Sequence, residues 1–209
     1  FKEKIIWVAD FRDPWSEIYY IETLHPSKYS LKKTKYYEKA VLKSADIVTI
    51  VSNSLLDILK KIHNREYFII ENGFEQSIIQ NKENNIINNF FNIVYTGILS
   101  PQSNIENLWK TISMLLKEED SFSTHLKITL IGNIDSSIID NINKYNLNKY
   151  TEIHSSIPHY EAIKVQQKST ILLLIIPRSS SAKSIITGKI FEYFAAGRPI
   201  LGIGPTDGD

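Results

Sequence analysis

The chain has 209 residues, of which 43% are hydrophobic and 22% are charged, and its formal net charge is +1. This composition is typical of a soluble globular protein and allows one large domain or two small ones. A net charge so close to zero gives no electrostatic reason to expect nucleic acid as a partner. The chain has no cysteine, which excludes disulfides and thiolate metal sites and favours a cytoplasmic location. The five scattered histidines show no His-x-x-x-His spacing. We predict no metal and no cofactor.

In chain order, short apolar runs alternate with amphipathic helical stretches. The predicted strands are Ile5–Ala9, Ile47–Val51, Tyr67–Ile70, Asn92–Thr96, Lys127–Ile131, Thr151–His154, Ile171–Ile176 and Pro199–Ile203. The predicted helices are Lys28–Lys43, Asn53–Ile62, Asn104–Glu118, Ser137–Tyr145, Tyr160–Lys168 and Gly188–Ala196. Continuous runs of Ile, Val and Leu are typical of strands that are buried on both faces of a parallel sheet. The alternation therefore predicts an α/β fold of βαβ units with parallel sheets.

A polar, asparagine-rich segment from residue 80 to 89 interrupts this pattern, as expected of a linker. We predict a first domain at residues 1–79 with three strands, a linker at 80–90, and a second domain at 91–209 with five strands. Because the chain starts at Phe1 directly before a strand and stops just after another, we expect an internal fragment of a longer protein, with both domains incomplete.

Polar residues and glycines follow the predicted strands, at the sheet edge where ligands bind in open parallel sheets. In the loop Asp10–Trp15, two carboxylates flank Arg12. A buried Asp–Arg pair that only holds the loop is one interpretation. The other is a polar cleft wall, in which Arg12 grips an anion with two hydrogen bonds and Asp13 orients a substrate hydroxyl. Gly97 and the pair Gly132-Asn133 end two other strands, and a glycine lets the backbone approach a ligand closely.

The segment 187–201 predicts a helix with a polar face. Thr187 is predicted to cap its start, Gly197 to end it in the left-handed conformation, and Pro199 to prevent its continuation. Lys189, Glu192 and the small Ala196 share one arc of the helical wheel; the opposite arc is apolar and contains Ile190, Phe191, Phe194 and Ala195. An amine and a carboxylate at a helix start suit a phosphate beside a ribose. The alternative is a solvated ion pair that contributes roughly 0.2–0.5 kcal/mol to stability.

Together these segments resemble the retaining glycosyltransferases of family 4, and the resemblance covers nearly the whole chain. Residues 45–52 resemble the family's strand "ADxVxxVS", and residues 71–75 resemble its "NG(V/F)(D/E)" turn. Residues 92–97 resemble the first strand and glycine loop of the donor-binding domain. Residues 188–199 resemble the helix "KxxEYxAxGxPV", and residues 10–15 resemble a "DxRDxW" variant found in some sugar-polymer enzymes.

The resemblance implies a GT-B fold of two Rossmann-like domains and a hexosyltransferase that needs no metal. The predicted donor-binding residues are Gly97, Gly132, Asn133, Pro158, Gly188, Lys189 and Glu192. In this scheme Glu192 binds the ribose hydroxyls, and Arg12 and Asp13 act in catalysis from the first domain. The expected donor is a UDP- or GDP-sugar, and the acceptor is a glycan or a lipid-linked molecule. The reaction is expected to proceed with retention, in cell-surface polysaccharide synthesis.

The expected location is the cytoplasm, at the inner face of the membrane, with peripheral membrane association through a part of the protein that precedes Phe1. Two features depart from the family pattern. Ser184 stands where relatives often have a second glutamate, and Leu99 and Gln102 occupy the region of a basic pair. Two alternatives therefore stay open: a sugar-nucleotide 2-epimerase of the same fold, and a subunit that binds nucleotide sugars without catalysis.

Overall fold

A computed structural model of the chain describes residues 5–74, 90–177, 179 and 182–207. The chain divides into two compact units. The first comprises Phe1–Gly73, Ser179–Thr187 and Pro205–Asp209, and the second comprises Phe74–Arg178 and Gly188–Gly204. Nearly all of the predicted linker lies outside the described residues, so the domain boundaries at 79 and 91 stay a prediction.

The first unit contains a parallel three-stranded sheet in the order β1-β2-β3. Its elements are β1 (Val8–Phe11), α1 (Lys28–Ser44), β2 (Ile47–Ile50), α2 (Asn53–Ile62) and β3 (Phe68–Ile69), with a 3-10 turn at Ile21–Leu24. Ser27 and Ser52 cap the two helices, since their hydroxyls accept the backbone N–H groups of Ser30 and Leu55. Leucine, isoleucine and valine side chains from both helices and β2 form the buried core.

The second unit contains a parallel five-stranded sheet in the order β6-β5-β4-β7-β8. Its strands are β4 (Phe91–Thr96), β5 (Leu126–Ile131), β6 (Thr151–His154), β7 (Ile171–Ile175) and β8 (Ile200–Ile203). Its helices are α3 (Glu106–Glu118), α4 (Asp120–His125), α5 (Ser136–Lys144), α6 (His159–Gln167) and α7 (Lys189–Ala196). Three 3-10 turns occur at Pro101–Ser103, Asn148–Tyr150 and Ala182–Ser184, the last of which groups with the first unit.

The predicted α/β fold with parallel sheets is confirmed, and the differences are shifted element ends and one additional short helix. The first strand was predicted at Ile5–Ala9, but the ladder with β2 runs from the pair Val8–Ile47 to the pair Phe11–Ile50. Helix α4 is missing from the prediction because Asp120–His125 has only one large apolar residue and hence no apolar period.

Helix α7 starts one residue later than predicted. It begins after Gly188, which stands at the N-cap position, one residue later than the predicted cap Thr187. Gly197 does end the helix in the left-handed conformation, with a φ of 66°. The apolar arc is only partly buried: Ala195 is 3% exposed but Phe194 is 63% exposed, and the fully buried large side chain of the helix is Tyr193. Tyr193 packs with core residues of β4 and β7. The helix is thus rotated so that Lys189 and Glu192 line the same space as Thr96 and Gly97 at the end of β4.

Arg65 closes the open end of α1. Its guanidinium donates to the carbonyl oxygens of Leu42 (2.7 Å), Ala45 (2.7 Å) and Asp46 (2.9 Å). These carbonyls lie at the end of the helix, where backbone acceptors lack partners along the helix and a cation interacts well with the helix dipole. We expect Arg65→Ala to lower the free energy of unfolding by about 2–3 kcal/mol, measured by urea denaturation.

The control for this prediction is Lys61→Ala, which removes an exposed cation from α2 and should change stability by less than about 0.5 kcal/mol. Arg65→Lys should fall between Arg65→Ala and the wild type, because an ammonium cannot span the carbonyls as the planar guanidinium does. Equal stability of Arg65→Ala and Lys61→Ala would contradict the capping role.

Candidate functional site

A cavity of about 290 Å³ lies at the carboxyl ends of the strands in the second unit. It is lined by the ends of β4 and β5, the segment after β6, and one face each of α6 and α7. The lining residues are Thr96, Gly97, Ile131, Gly132, Ser156, Ile157, His159, Ala162, Gln166, Lys189 and Glu192. The chain builds the sheet outward from β4 to β6 and then returns to place β7 on the other side of β4. Ligands of open α/β sheets bind at this type of reversal.

Two glycine loops at the strand ends pack backbone against backbone. Gly97 has a φ of 121° and Gly132 a φ of 127°, a region that side chains disfavour. The N–H of Gly97 donates to Ile131 O (2.7 Å), and that of Gly132 donates to His154 O (2.9 Å). A Cβ added to Gly132 would lie 2.1 Å from the carbonyl oxygen of Gly97. Only glycine allows this close approach. This part of the cavity is therefore lined by bare backbone.

The Lys189 amine is held beside the first glycine loop. Its Nζ lies 5.0 Å from the centre of the Tyr95 ring and donates to the Tyr95 hydroxyl at 3.2 Å. That hydroxyl donates in turn to Ile98 O at 2.8 Å. A Cβ on Gly97 would lie 2.6 Å from Lys189 Cε, so the lysine stem crosses this glycine. Burial lowers the pKa of Lys189, although the Glu192 carboxylate opposes the shift. An anion bound here would favour the charged amine.

The Glu192 carboxylate lines the cavity from the same helix as Lys189, one turn further along α7. Its Oε1 lies 3.1 Å from His159 Nε2, and its Oε2 accepts from Gln166 Nε2 at 3.3 Å. The Gln166 amide is fully buried and also donates to Thr96 Oγ1 at 2.9 Å. The Glu192 side chain is 29% exposed, and a carboxylate has about four acceptor positions. Glu192 can therefore accept further hydrogen bonds from a ligand with neighbouring hydroxyl groups.

The structure brings together four of the predicted donor-binding residues, since Gly97, Gly132, Lys189 and Glu192 all line this cavity. The other three lie beside it. Asn133 is exposed, and its carbonyl accepts from Leu99 N at 2.9 Å to join the two glycine loops. Pro158 is the N-cap of α6, between two lining residues. Gly188 is exposed at the start of α7.

Sequence reasoning missed the contribution of α6. His159, Ala162 and Gln166 are spaced i, i+3 and i+7, which puts them on one face of a helix, and all three line the cavity. That spacing was visible in the sequence, but a polar helix face of this kind is usually exposed to solvent and does not by itself indicate a binding site. Leu99, where the family has a basic pair, is 1% exposed and belongs to the core, so the cation beside Gly97 is Lys189 instead.

In the first unit, Arg12 links the loops that follow β1 and β3. Its Nε donates to Asp10 Oδ2 at 2.7 Å, and its Nη1 donates to Asn72 Oδ1. The hydrogen bond from Thr49, and to a smaller extent the one from Arg12, lowers the pKa of Asp10. The Arg12 and Asp10 side chains are 56% and 44% exposed, so the bridge lies at the surface. Surface salt bridges contribute up to about 1 kcal/mol to folding stability. A stabilising role therefore explains the Asp10–Arg12 pair only weakly.

Asp13 lies in the same loop, and the buried carboxylate of Glu38 holds the loop residues that follow it. Glu38 of α1 is fully buried and accepts from Trp15 N (2.7 Å) and Ser16 Oγ (2.5 Å). The Trp15 ring also stacks on Phe11, with ring centres 5.2 Å apart. Partial burial raises the pKa of Asp13, which suits a carboxyl group that holds or transfers a proton.

Within the described ranges, no three His, Asp or Glu residues are placed so that they could hold a metal ion. Likewise, none of the helices described is both long enough and apolar enough to cross a membrane.

No family model matches the chain, and no curated protein matches it by sequence. Solved structures do match. Sucrose-phosphate synthase from Thermosynechococcus elongatus is 16% identical with a TM-score of 0.67, over 96% of this chain and 51% of its own. A mutant of S. aureus TarM, in complex with fondaparinux, α-GlcNAc-glycerol and UDP, is 15% identical with a TM-score of 0.65, over 96% of this chain and 38% of its own. The pneumococcal O-GlcNAc transferase GtfA, in complex with UDP and GlcNAc, is 13% identical with a TM-score of 0.62, over 93% of this chain and 37% of its own.

The chain thus spans between 37% and 51% of the length of these proteins. At such low identities the likeness concerns the fold, and it confirms the predicted GT-B type of architecture. Membership of family 4 and retention at the anomeric carbon stay predictions.

Proposed function

We propose that the chain is part of a glycosyltransferase that moves a sugar from a nucleotide-sugar donor to a glycan or lipid-linked acceptor. The observation that carries this proposal is the cavity of the second unit, in which an amine and a carboxylate from one helix turn face paired glycine loops. The GT-B fold supports it, as does the presence of UDP in the TarM and GtfA structures.

In this proposal each part of the cavity recognises one part of the donor. The diphosphate lies against the bare backbone of Gly97 and Gly132, with the Lys189 ammonium as its counter-charge. The Glu192 carboxylate accepts hydrogen bonds from the two ribose hydroxyls. Lys189 takes over the task of the basic pair that Leu99 and Gln102 replace. When the bond between the sugar's anomeric carbon and the diphosphate breaks, the leaving diphosphate gains negative charge, which the Lys189 ammonium stabilises without a metal ion.

The first unit supplies the remaining roles in this proposal. Arg12 donates to the reacting or acceptor oxygen, and Asp13, whose pKa is raised, holds or accepts the acceptor's proton. Residues 1–79 form the acceptor side and residues 91–209 the donor side. Transfer with retention, a role in cell-surface polysaccharide synthesis, and a cytoplasmic location at the inner face of the membrane complete the proposal.

A thermal-shift screen of UDP-, GDP- and ADP-sugars tests this function, followed by product analysis with the full-length protein and each stabilising donor. Transfer of the sugar to an acceptor, in EDTA as well as with Mg²⁺, is the expected result. Loss of transfer in EDTA with recovery on Mg²⁺ would refute the metal-free mechanism. Conversion of the sugar to its 2-epimer, or binding without any reaction, would replace the proposal with one of the two alternatives.

Arg12→Ala in the full-length protein is expected to lower kcat about 10²-fold while nucleotide affinity stays close to that of the wild type. The reason is that Arg12 belongs to the first unit, whereas all the proposed donor contacts belong to the second. The readout is steady-state kinetics beside calorimetry of nucleotide binding. The variant should lose no more than about 1 kcal/mol of stability, since its bridge to Asp10 is exposed. A folded Arg12→Ala enzyme with normal turnover would contradict the catalytic role.

A further inference from the structure

Gln166 carries a feature that stability alone does not explain. Its side chain is fully buried, and its Nε2 donates to both Thr96 Oγ1 and Glu192 Oε2. Among the described residues, its Oε1 has no hydrogen-bond partner. A buried amide oxygen without a donor is costly, and an apolar side chain of equal length would avoid that cost. The benefit of an amide at this position must therefore lie in what its NH₂ group holds.

The direction of this amide follows from the chemistry of its neighbour. An ionised carboxylate only accepts hydrogen bonds, so Gln166 has to present its NH₂ group to Glu192. Its second N–H goes to Thr96, the last residue of β4 and the residue before Gly97. A single rigid amide thus joins the carboxylate of α7 to the strand that carries the first glycine loop.

We infer that Gln166 is a positioning residue that fixes the Glu192 carboxylate in the orientation in which it accepts both ribose hydroxyls. The inference rests on the proposed function, because it assigns the ribose to Glu192. His159, the other partner of Glu192, is 65% exposed in its side chain and restrains the carboxylate less. Without the Gln166 amide, the carboxylate rotates, and a nucleotide has to order it on binding.

The test uses Gln166→Met, which keeps the length and apolar volume of the side chain and removes the amide. Affinities for UDP and for 2′,3′-dideoxy-UDP are measured by calorimetry on the whole chain. UDP should bind about tenfold more weakly, as expected for losing one hydrogen bond to a charged group, and the dideoxy nucleotide should bind as to the wild type. The double variant with Glu192→Gln should bind UDP no more weakly than Glu192→Gln alone. The matched control is Gln167→Met, because Gln167 is the next residue of α6 and is also buried but does not line the cavity.

Three results would overturn the inference: unchanged UDP affinity in Gln166→Met, an equal loss for both nucleotides, or additive losses in the double variant. The last two would assign Gln166 a merely structural role. If the wild-type chain binds no nucleotide, the proposed function fails, and crystal structures decide the positioning role separately. A Glu192 carboxylate that keeps its place in Gln166→Met refutes that role, and one that turns away from Thr96 supports it.

Discussion

Replacing Gly132 by alanine is expected to lower the free energy of unfolding by about 3 kcal/mol or more, which is among the larger effects of single substitutions. Two costs add. The residue has a φ of 127°, where an L side chain is strained, and the new Cβ would lie 2.1 Å from the carbonyl oxygen of Gly97. That oxygen belongs to the backbone of the facing loop, so relief requires the two strand ends to separate. Thermal and urea denaturation of the variant measure the effect.

The control is Gly202→Ala in β8, where an added Cβ meets no atom within 4 Å and φ is ordinary. Removing the conformational freedom of this glycine should change stability by less than about 1 kcal/mol. Similar melting temperatures for the two variants would mean that the glycine loops are not held against each other as described. The backbone of Gly97 and Gly132 would then be less rigid than the proposed site requires.

Glu192→Gln is expected to weaken the binding of a nucleoside diphosphate by about 1.5–3 kcal/mol, which is roughly a 10- to 150-fold change in Kd. The variant keeps the shape of the side chain but removes the charge that accepts the ribose hydroxyls. It should stay folded, because the Glu192 side chain lies at the cavity wall and is 29% exposed. Calorimetry with the ribose nucleotide and with its 2′,3′-dideoxy counterpart measures the effect, and only the former should lose affinity.

Glu161→Gln provides a matched control on α6. This carboxylate accepts from the hydroxyl of the neighbouring Tyr160 and does not line the cavity. It should leave both affinities unchanged. A Glu192→Gln variant that binds the nucleotide like the wild type would remove the basis of the proposed function, whereas a large fall in melting temperature would make Glu192 a structural residue.

The order and type of the elements could be predicted because buried parallel strands leave continuous runs of Ile, Leu and Val, as in Ile171–Ile175. Lys189 and Glu192 could be paired because side chains three positions apart in a helix lie on the same face. The rotation of α7 could not be predicted, because Tyr193 and Phe194 are both large aromatic residues. Tertiary packing against β4 and β7, which a helical wheel does not contain, decides which of them is buried.

The role of α6 escaped prediction for a related reason. Gln166 contacts Thr96 and Glu192, which are 70 and 26 residues away along the chain. Neither contact belongs to a local motif, and the helical spacing of Gln166 from His159 does not show that this face meets Thr96 and Glu192. The partner of Arg12 was equally undetermined, because Asp10 and Asp13 flank it closely. The choice of Asp10 follows from the extended backbone of β1 and from Thr49 on β2.

The environment of the Lys189 amine also bears on chemical reactivity. An ammonium does not attack electrophiles, whereas a free amine does, and burial shifts this group toward the free amine by lowering its pKa. The amine nevertheless lines an open cavity and is not sealed in the core. Lys189 should therefore be acylated by amine-reactive esters ahead of the lysines on the surface, and a bound nucleoside diphosphate should protect it. Mass spectrometry of a briefly labelled chain would identify the modified residue.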